Sequence, residues 1–277
     1  MKRTILLCAT LVLAVIATFA ANGKKDYIVG NFTGIQLTGS PTIIVTQGKT
    51  TSVKAEGPQE LIDLLEIKVD GKDLIVKQKS KSKIRFFGRN NMDNNYVKVY
   101  VEVPSLQTLN ISGSGDIIVK EDMKWDSSTS MSISGSGDIE VALVNTESLN
   151  LYLKGSGDID IKTAKVKYLD ATVSGSGDIE VRNTDASTVK AYVKGSGDID
   201  FKAGKAKQAE YKVSGSGDIH AHNLKVDQVN AEVSGSGDIR CQAKQSISGK
   251  VSGSGDVSYS GKPNQVNVSK KGFHAVK

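Results

Sequence analysis

Eight copies of the tetrapeptide Gly-Ser-Gly-Asp set a carboxylate behind a small, flexible corner, at Asp116, Asp138, Asp158, Asp178, Asp198, Asp218, Asp238 and Asp256. A carboxylate can ligate a hard cation, take part in acid–base or nucleophilic chemistry, or accept N–H bonds within a turn. Repetition sorts these roles. A nucleophile or a phosphate cradle is needed once, not eight times. Calcium is the cofactor to consider, because glycine-aspartate solenoids of the nine-residue type bind it. The corner here lacks the Gly-Gly-x-Gly-x-Asp spacing, and the facing turn carries no matching carboxylates. The expectation is a structural corner with no cofactor, and the eight Asp as a calcium ladder is the alternative. Carboxylates stacked 4.8 Å apart repel by about 0.9 kcal/mol in water and roughly 3.5 kcal/mol at an effective dielectric of 20, so donors or a cation must offset them.

Other groups with chemical potential are sparse. The chain has three His in 277 residues, too few for a His-based centre. His220 and His222 share one outer face at i and i+2 without a third ligand, and read as solvated substitutions. Cys8 lies in an N-terminal apolar run, which leaves Cys241 as the one mature thiol and excludes an intrachain disulfide. A basic run at Lys77, Lys79, Lys81, Lys83, Arg85 and Arg89, with Phe86 and Phe87 inside it, could grip an anionic glycan or a lipid headgroup. Its plainer reading is an edge strand guarded by Lys.

The elements that position these groups follow from the repeat. The Asp intervals are 22, 20, 20, 20, 20, 20 and 18 residues. Counted from each Asp, positions +1, +3, −5, −7 and −9 are mainly apolar, as in Ile159, Ile161, Leu153, Leu151 and Leu149. Position +2 is acidic in Glu140, Asp160, Glu180 and Asp200, and +4 is basic in Lys162, Arg182 and Lys202. Such alternation on both sides of a Gly-rich corner predicts two short strands per repeat, apolar side inward. A unit this small cannot close its own core, whereas stacked copies can. The chain is therefore expected to be an all-β, single-stranded parallel β-solenoid of about 20 residues per coil, wound right-handed, the array running roughly 34 Å. Each rung would bury about five apolar side chains, worth ~1.5–3 kcal/mol each. Pro104 and Pro263 flank the array, and none falls within it, as a ladder needing every N–H requires. A finer two-coil period also shows: Tyr152 and Tyr192 share position −6, and Lys154 and Lys194 alternate with Ser at −4.

Residues 1–21 read as a secretory signal peptide, with Lys2 and Arg3 before an apolar run from Ile5 to Ala20 and cleavage after Ala20 or Ala21. No second apolar segment follows that could span a bilayer, so export to the periplasm or outer cell surface is expected. Residues 22–104 form an N-terminal β-rich segment capping the solenoid, 105–262 the eight-repeat array, and 263–277 a C-terminal cap strand. Within the first segment, Phe32 to Val53 alternates like strands, Pro58 to Glu66 suits a short helix, and Ile67 to Gln78 a hairpin around Asp70-Gly71. The formal charge of +6 falls to +4 without Lys2 and Arg3, too little to argue for nucleic acid. Aromatic content of 5% points away from base stacking as well.

The Gly-Ser-Gly-Asp-Ile corners, preceded by Asn31-Phe32-Thr33-Gly34-Ile35 and Val45-Thr46-Gln47-Gly48, resemble the head GIN domain family of auto-transporter adhesins from Gram-negative gut-type bacteria. The resemblance implies a pectin-lyase-like β-helix without catalytic residues and an adhesion role, with a homotrimer as the assembly to test. The functional expectation is an exported, non-enzymatic surface or binding protein whose partner is a glycan, a lipid headgroup or a host surface. The competing classes are a β-helix polysaccharide lyase or hydrolase and a structural protein of the envelope. An enzyme needs a local, non-repeating cluster of Asp, Arg or Lys, and this array repeats its polar residues instead.

Overall fold

The computed structural model describes residues 22–79, 96–269 and 271–276. The predicted signal peptide, and Lys81, Lys83, Arg85 and Arg89 of the basic run, lie outside them.

The array is a parallel β-solenoid. Ile159, Asp160 and Ile161 pair in register with Ile139, Glu140 and Val141 on one side and with Ile179, Glu180 and Val181 on the other. The same one-repeat offset runs through the whole array, so equivalent residues form columns along the rod. Each full coil has three ladder segments rather than the two expected. Between neighbouring coils, pairing covers 139–141, 143–146 and 148–153, with breaks at Ala142 and Glu147. The additional segment carries weakly apolar inward residues, Ala164 and Val166 in one coil and Thr184 and Ala186 in the next. Its alternation is too faint to stand out in sequence. The coil from Ile159 to Val173 therefore buries seven side chains: Ile159, Ile161, Ala164, Val166, Leu169, Ala171 and Val173.

Packing inside the column is complementary along the axis. Tyr211 fills the −7 column between Ala191 and Ala231. Large residues are accommodated where the adjacent coils supply small ones. Cys241 lies in the inward +3 column, and burial pushes its thiol up to about 12. The longer first interval accommodates Trp125, which is buried and donates its indole N–H to the Leu143 carbonyl at 2.8 Å.

The N-terminal strands enter the same stack out of sequence order. Gly34–Thr38 and Thr42–Gln47 make a coil beneath Leu106–Ile111 and Ile117–Val119. Asp73–Gln78 and Lys98–Val103 form the coil beneath that one, again in parallel. Antiparallel strands then flank this base: Ser52–Pro58 pairs with Lys98–Val103, Asn22–Tyr27 with Ser52–Pro58, and Leu65–Asp70 with Asp73–Gln78. The change from parallel to antiparallel pairing ends the repeat at this end of the stack. The short helix Gln59–Ile62 and the hairpin turning at Gly71, with φ of 60°, stand where the sequence placed them. At the far end, Val257–Ser260 and Gln265–Val268 pair in parallel with the last full coil, and Phe273–Ala275 with Val257–Ser260.

Two substitutions test the register. Ile179 is fully buried, so Ile179→Asp inserts an unpaired carboxylate and should cost several kcal/mol in denaturant unfolding. The Tyr211 hydroxyl is buried without a hydrogen-bond partner among the described residues. Tyr211→Phe keeps the ring and removes that polar atom, and should raise stability by about 1 kcal/mol or more. A destabilised Tyr211→Phe protein would contradict the inward placement of this ring.

Candidate functional site

Each corner is held by backbone bonds to the coil before it, and its Asp N–H by a side chain of that coil. At the corner from Gly155 to Asp158, Lys154 N–H donates to the Ile133 carbonyl, and Ser156 and Gly157 N–H groups both donate to that of Gly135. Ile159 N–H donates forward to the Asp178 carbonyl. The Asp158 N–H is left facing no carbonyl and donates to Asp138 Oδ1 at 2.8 Å. The same bond recurs from Asp138 to Asp116 at 3.1 Å, and on through Asp178, Asp198, Asp218, Asp238 and Asp256 at 2.7–2.8 Å. Each carboxylate is thus bound to the main chain of the following coil by a charge-assisted bond. At the base, Thr42 stands in the Asp position, and Asp116 N–H turns to the Pro41 carbonyl at 3.2 Å. At the other end Asp256 Oδ1 has His274 Nε2 at 3.4 Å.

The glycines answer a second demand of the same corner. A Cβ built on Gly157 would overlap the Gly137 carbonyl oxygen, and one on Gly155 that of Gly135. Close coil-to-coil approach, repeated along the stack, restricts these positions to Gly. The carboxylates are committed to N–H donors, and among the described residues no three His, Cys, Asp or Glu side chains converge as metal ligands. His220 Nε2 lies 3.9 Å from both Asp198 and Asp218 carboxylates, and His222 contacts Asn223.

The three outer faces differ in electrostatics. The acidic +2 and basic +4 columns are paired with each other. Arg182 reaches Glu180 at 2.9 Å and Asp160 at 3.9 Å, and Lys202 reaches Asp200 at 3.0 Å and Glu180 at 3.3 Å. A shallow groove of about 480 Å³ runs along this stripe between Ile118 and Arg182. The next face is likewise bridged, Lys167 to Glu147 and Lys205 to Asp185, both at 3.3 Å.

The third face, made by the −10, −8 and −6 columns, is different. It presents Tyr152 and Tyr168, 45% and 46% exposed, together with the half-buried Tyr192. Between these lie Asn150, Asp170 and Lys190 in one column. Burial, with the neighbouring Glu210 carboxylate, pushes the Tyr192 hydroxyl up to about 12. Lys212 completes the support: its Nζ stands 5.8 Å from the centre of the Tyr192 ring and 2.7 Å from Glu210. Partial burial also raises the Asp170 carboxyl above its ordinary range. Sequence reasoning singled out Tyr152 and Tyr192 only as a trace of duplication, because exposure cannot be read from a period. Of the basic run, Lys77 is exposed on Asp73–Gln78, and Lys79 lies 3.7 Å from Glu66.

A single family model matches the chain over residues 31–205 and again over 201–263. The chain belongs to the family described as "Putative auto-transporter adhesin, head GIN domain". Solved structures share the fold. A "Putative lipid binding protein" from Parabacteroides distasonis matches with a TM-score of 0.62 and 21% identity, over 92% of this chain and 97% of its own. A "putative adhesin" from the same organism matches at 0.65 and 22%, over 92% and 97%, and one from Parabacteroides merdae at 0.65 and 19%, over 92% and 96%. No curated protein matches the chain. At these identities the likeness to the solved structures is one of fold. Among the described residues of this head GIN chain, no helix is long and apolar enough to cross a membrane.

The corner geometry sets a test between structural and calcium roles. Asp178→Asn keeps an oxygen for the Asp198 N–H and should change stability by less than about 0.5 kcal/mol. Asp178→Ala strands that donor and should cost about 1–3 kcal/mol. Chelator should leave the melting temperature of the parent unchanged at neutral pH; a fall of ten degrees or so would assign the ladder to calcium.

Proposed function

We propose that this chain is an exported, non-enzymatic adhesion module that holds an extended partner along its Tyr152, Tyr168 and Tyr192 face. The observation that carries the reading is the contrast between faces. All three carry ion pairs, Lys212 to Glu210 on the third included, but among the described residues of the array only the third sets aromatic rings outward, Tyr152, Tyr168 and Tyr192. Exposed rings beside hydrogen-bonding side chains are a common feature of recognition surfaces. The family description supports an adhesive role at the cell surface, and the apolar N-terminal run supports export. A lyase or hydrolase would need an isolated cluster of acid, base and cation. The acidic and basic groups here recur coil after coil as paired columns.

Adhesion is checked with the purified protein on beads and with cells carrying or lacking it. Beads and expressing cells should be retained on glycan- or lipid-coated surfaces, retention should fall severalfold with Tyr152→Ala and Tyr192→Ala combined, and cell fractionation should find the protein in the envelope. Steady release of new reducing ends from a polysaccharide by the purified protein would overturn the non-enzymatic reading.

A further inference from the structure

The face that the proposed adhesion role rests on carries a two-coil period that the fold does not require. Tyr152 and Tyr192 stand in one column with Thr172 between them. Lys154 and Lys194 flank them two residues on, on the same side of the strand, with Ser174 between. Two coils separate equivalent side chains, about 9.6 Å along the rod. The Tyr-x-Lys pair thus occurs twice, two coils apart, and the inward neighbours Leu153, Val173 and Val193 give no reason for it. Lys154 and Lys194 are exposed and make no ion pair among the described residues, a state they share with Lys162, Lys165 and Lys190; what sets them apart is the Tyr two residues before each.

We infer that this face binds a linear acidic polysaccharide bearing one carboxylate per disaccharide, laid along the rod axis across coils 148 to 194. A pyranose in an extended chain advances by about one coil spacing, so the two-coil period matches a disaccharide. In that register Tyr152 and Tyr192 stack on alternate sugar rings, and Lys154 and Lys194 meet the uronate carboxylates. Asn150, Asp170 and Lys190, in the adjoining column, hydrogen-bond to hydroxyls. Charge supports the assignment, since Lys154, Lys190 and Lys194 outnumber the one carboxylate among them, Asp170. Asp170 supports it too. This half-buried carboxylate lacks an ion pair among the described residues, and its pKa is raised by burial.

Binding of hyaluronan oligosaccharides to the purified protein, measured by titration calorimetry, tests the assignment, with neutral chitin oligosaccharides and phosphatidylglycerol vesicles as comparisons. Hyaluronan should bind, weaken with added salt, and exceed the chitin affinity at least tenfold. Lys154→Gln with Lys194→Gln should lower the hyaluronan affinity at least tenfold and abolish most of its salt dependence. Tyr152→Ala with Tyr192→Ala should lower it about as much, and Lys165→Gln with Lys207→Gln, the same charge change on other columns, should leave it unchanged. All variants should keep the circular dichroism of the parent. Equal loss in the Lys165/Lys207 variant, equal affinity for chitin, or binding to the vesicles alone would overturn the acidic-glycan assignment. In the last case the adhesion reading would stand with a lipid partner. Absence of binding to all three probes, together with unretained beads, would sink both.

Discussion

The Asp N–H at each corner, which no backbone carbonyl of the coil before it meets, governs this structure. A parallel solenoid satisfies its strands through the ladder, but at each Gly-Ser-Gly-Asp corner the chain bends and the Asp amide faces no carbonyl of the coil before it. A buried or half-buried amide left in that state costs about 1–3 kcal/mol, and the cost would recur at every turn. The Asp side chain of the preceding coil supplies the acceptor. The residue is therefore repeated because the defect is repeated. Glycine follows from the same geometry, as the corners approach until a Cβ would meet the carbonyl oxygen beneath. Electrostatic repulsion between stacked carboxylates is offset locally, each lending one oxygen to a main-chain donor.

Much of the fold was legible because it obeys a period. The columns at +1, +3, −5, −7 and −9 identified the inward residues correctly, since burial at those sites is demanded in every coil and so is repeated in every coil. The third ladder segment was not legible. Its inward positions mix Ala164, Thr184, Ala186 and Ala206 with Val166, Leu224 and Val226, so no apolar column recurs there from coil to coil. The N-terminal order was hidden for a different reason. Gly34–Thr38 is placed between two strands from later in the chain, and nothing local records which strand will be inserted between which others. Parallel pairing carries no turn to announce it.

The candidate face was half legible. The recurrence of Tyr at −6 and Lys at −4 was visible, and so was its lack of a structural cause. What sequence could not supply was the pairing state of the other charges. The +2 and +4 stripes look as charged in sequence as any ligand-binding surface. They proved to be self-neutralised through Arg182 and Lys202, and surface pairs of that kind contribute at most about 1 kcal/mol each. Their regularity suits solubility and edge protection. The aromatic face is the one where regularity breaks.

That break is informative because the solenoid separates core from surface so completely. Inward columns are tied to their neighbours by packing, and corners by the Asp and Gly requirement. Outward positions of a parallel ladder have no such obligation, since the backbone bonds are indifferent to them. A surface side chain in such a rod is free to drift, and where duplication leaves two copies of a pair in register, drift should erase the likeness. Tyr152 and Lys154 nonetheless match Tyr192 and Lys194, while the position between is Thr172 and Ser174. Burial raises the carboxyl pKa of the half-buried Asp170 beside them, against the opposing charges of Lys190 and Lys194. Retained likeness without a packing cause is what the proposed partner along that face accounts for.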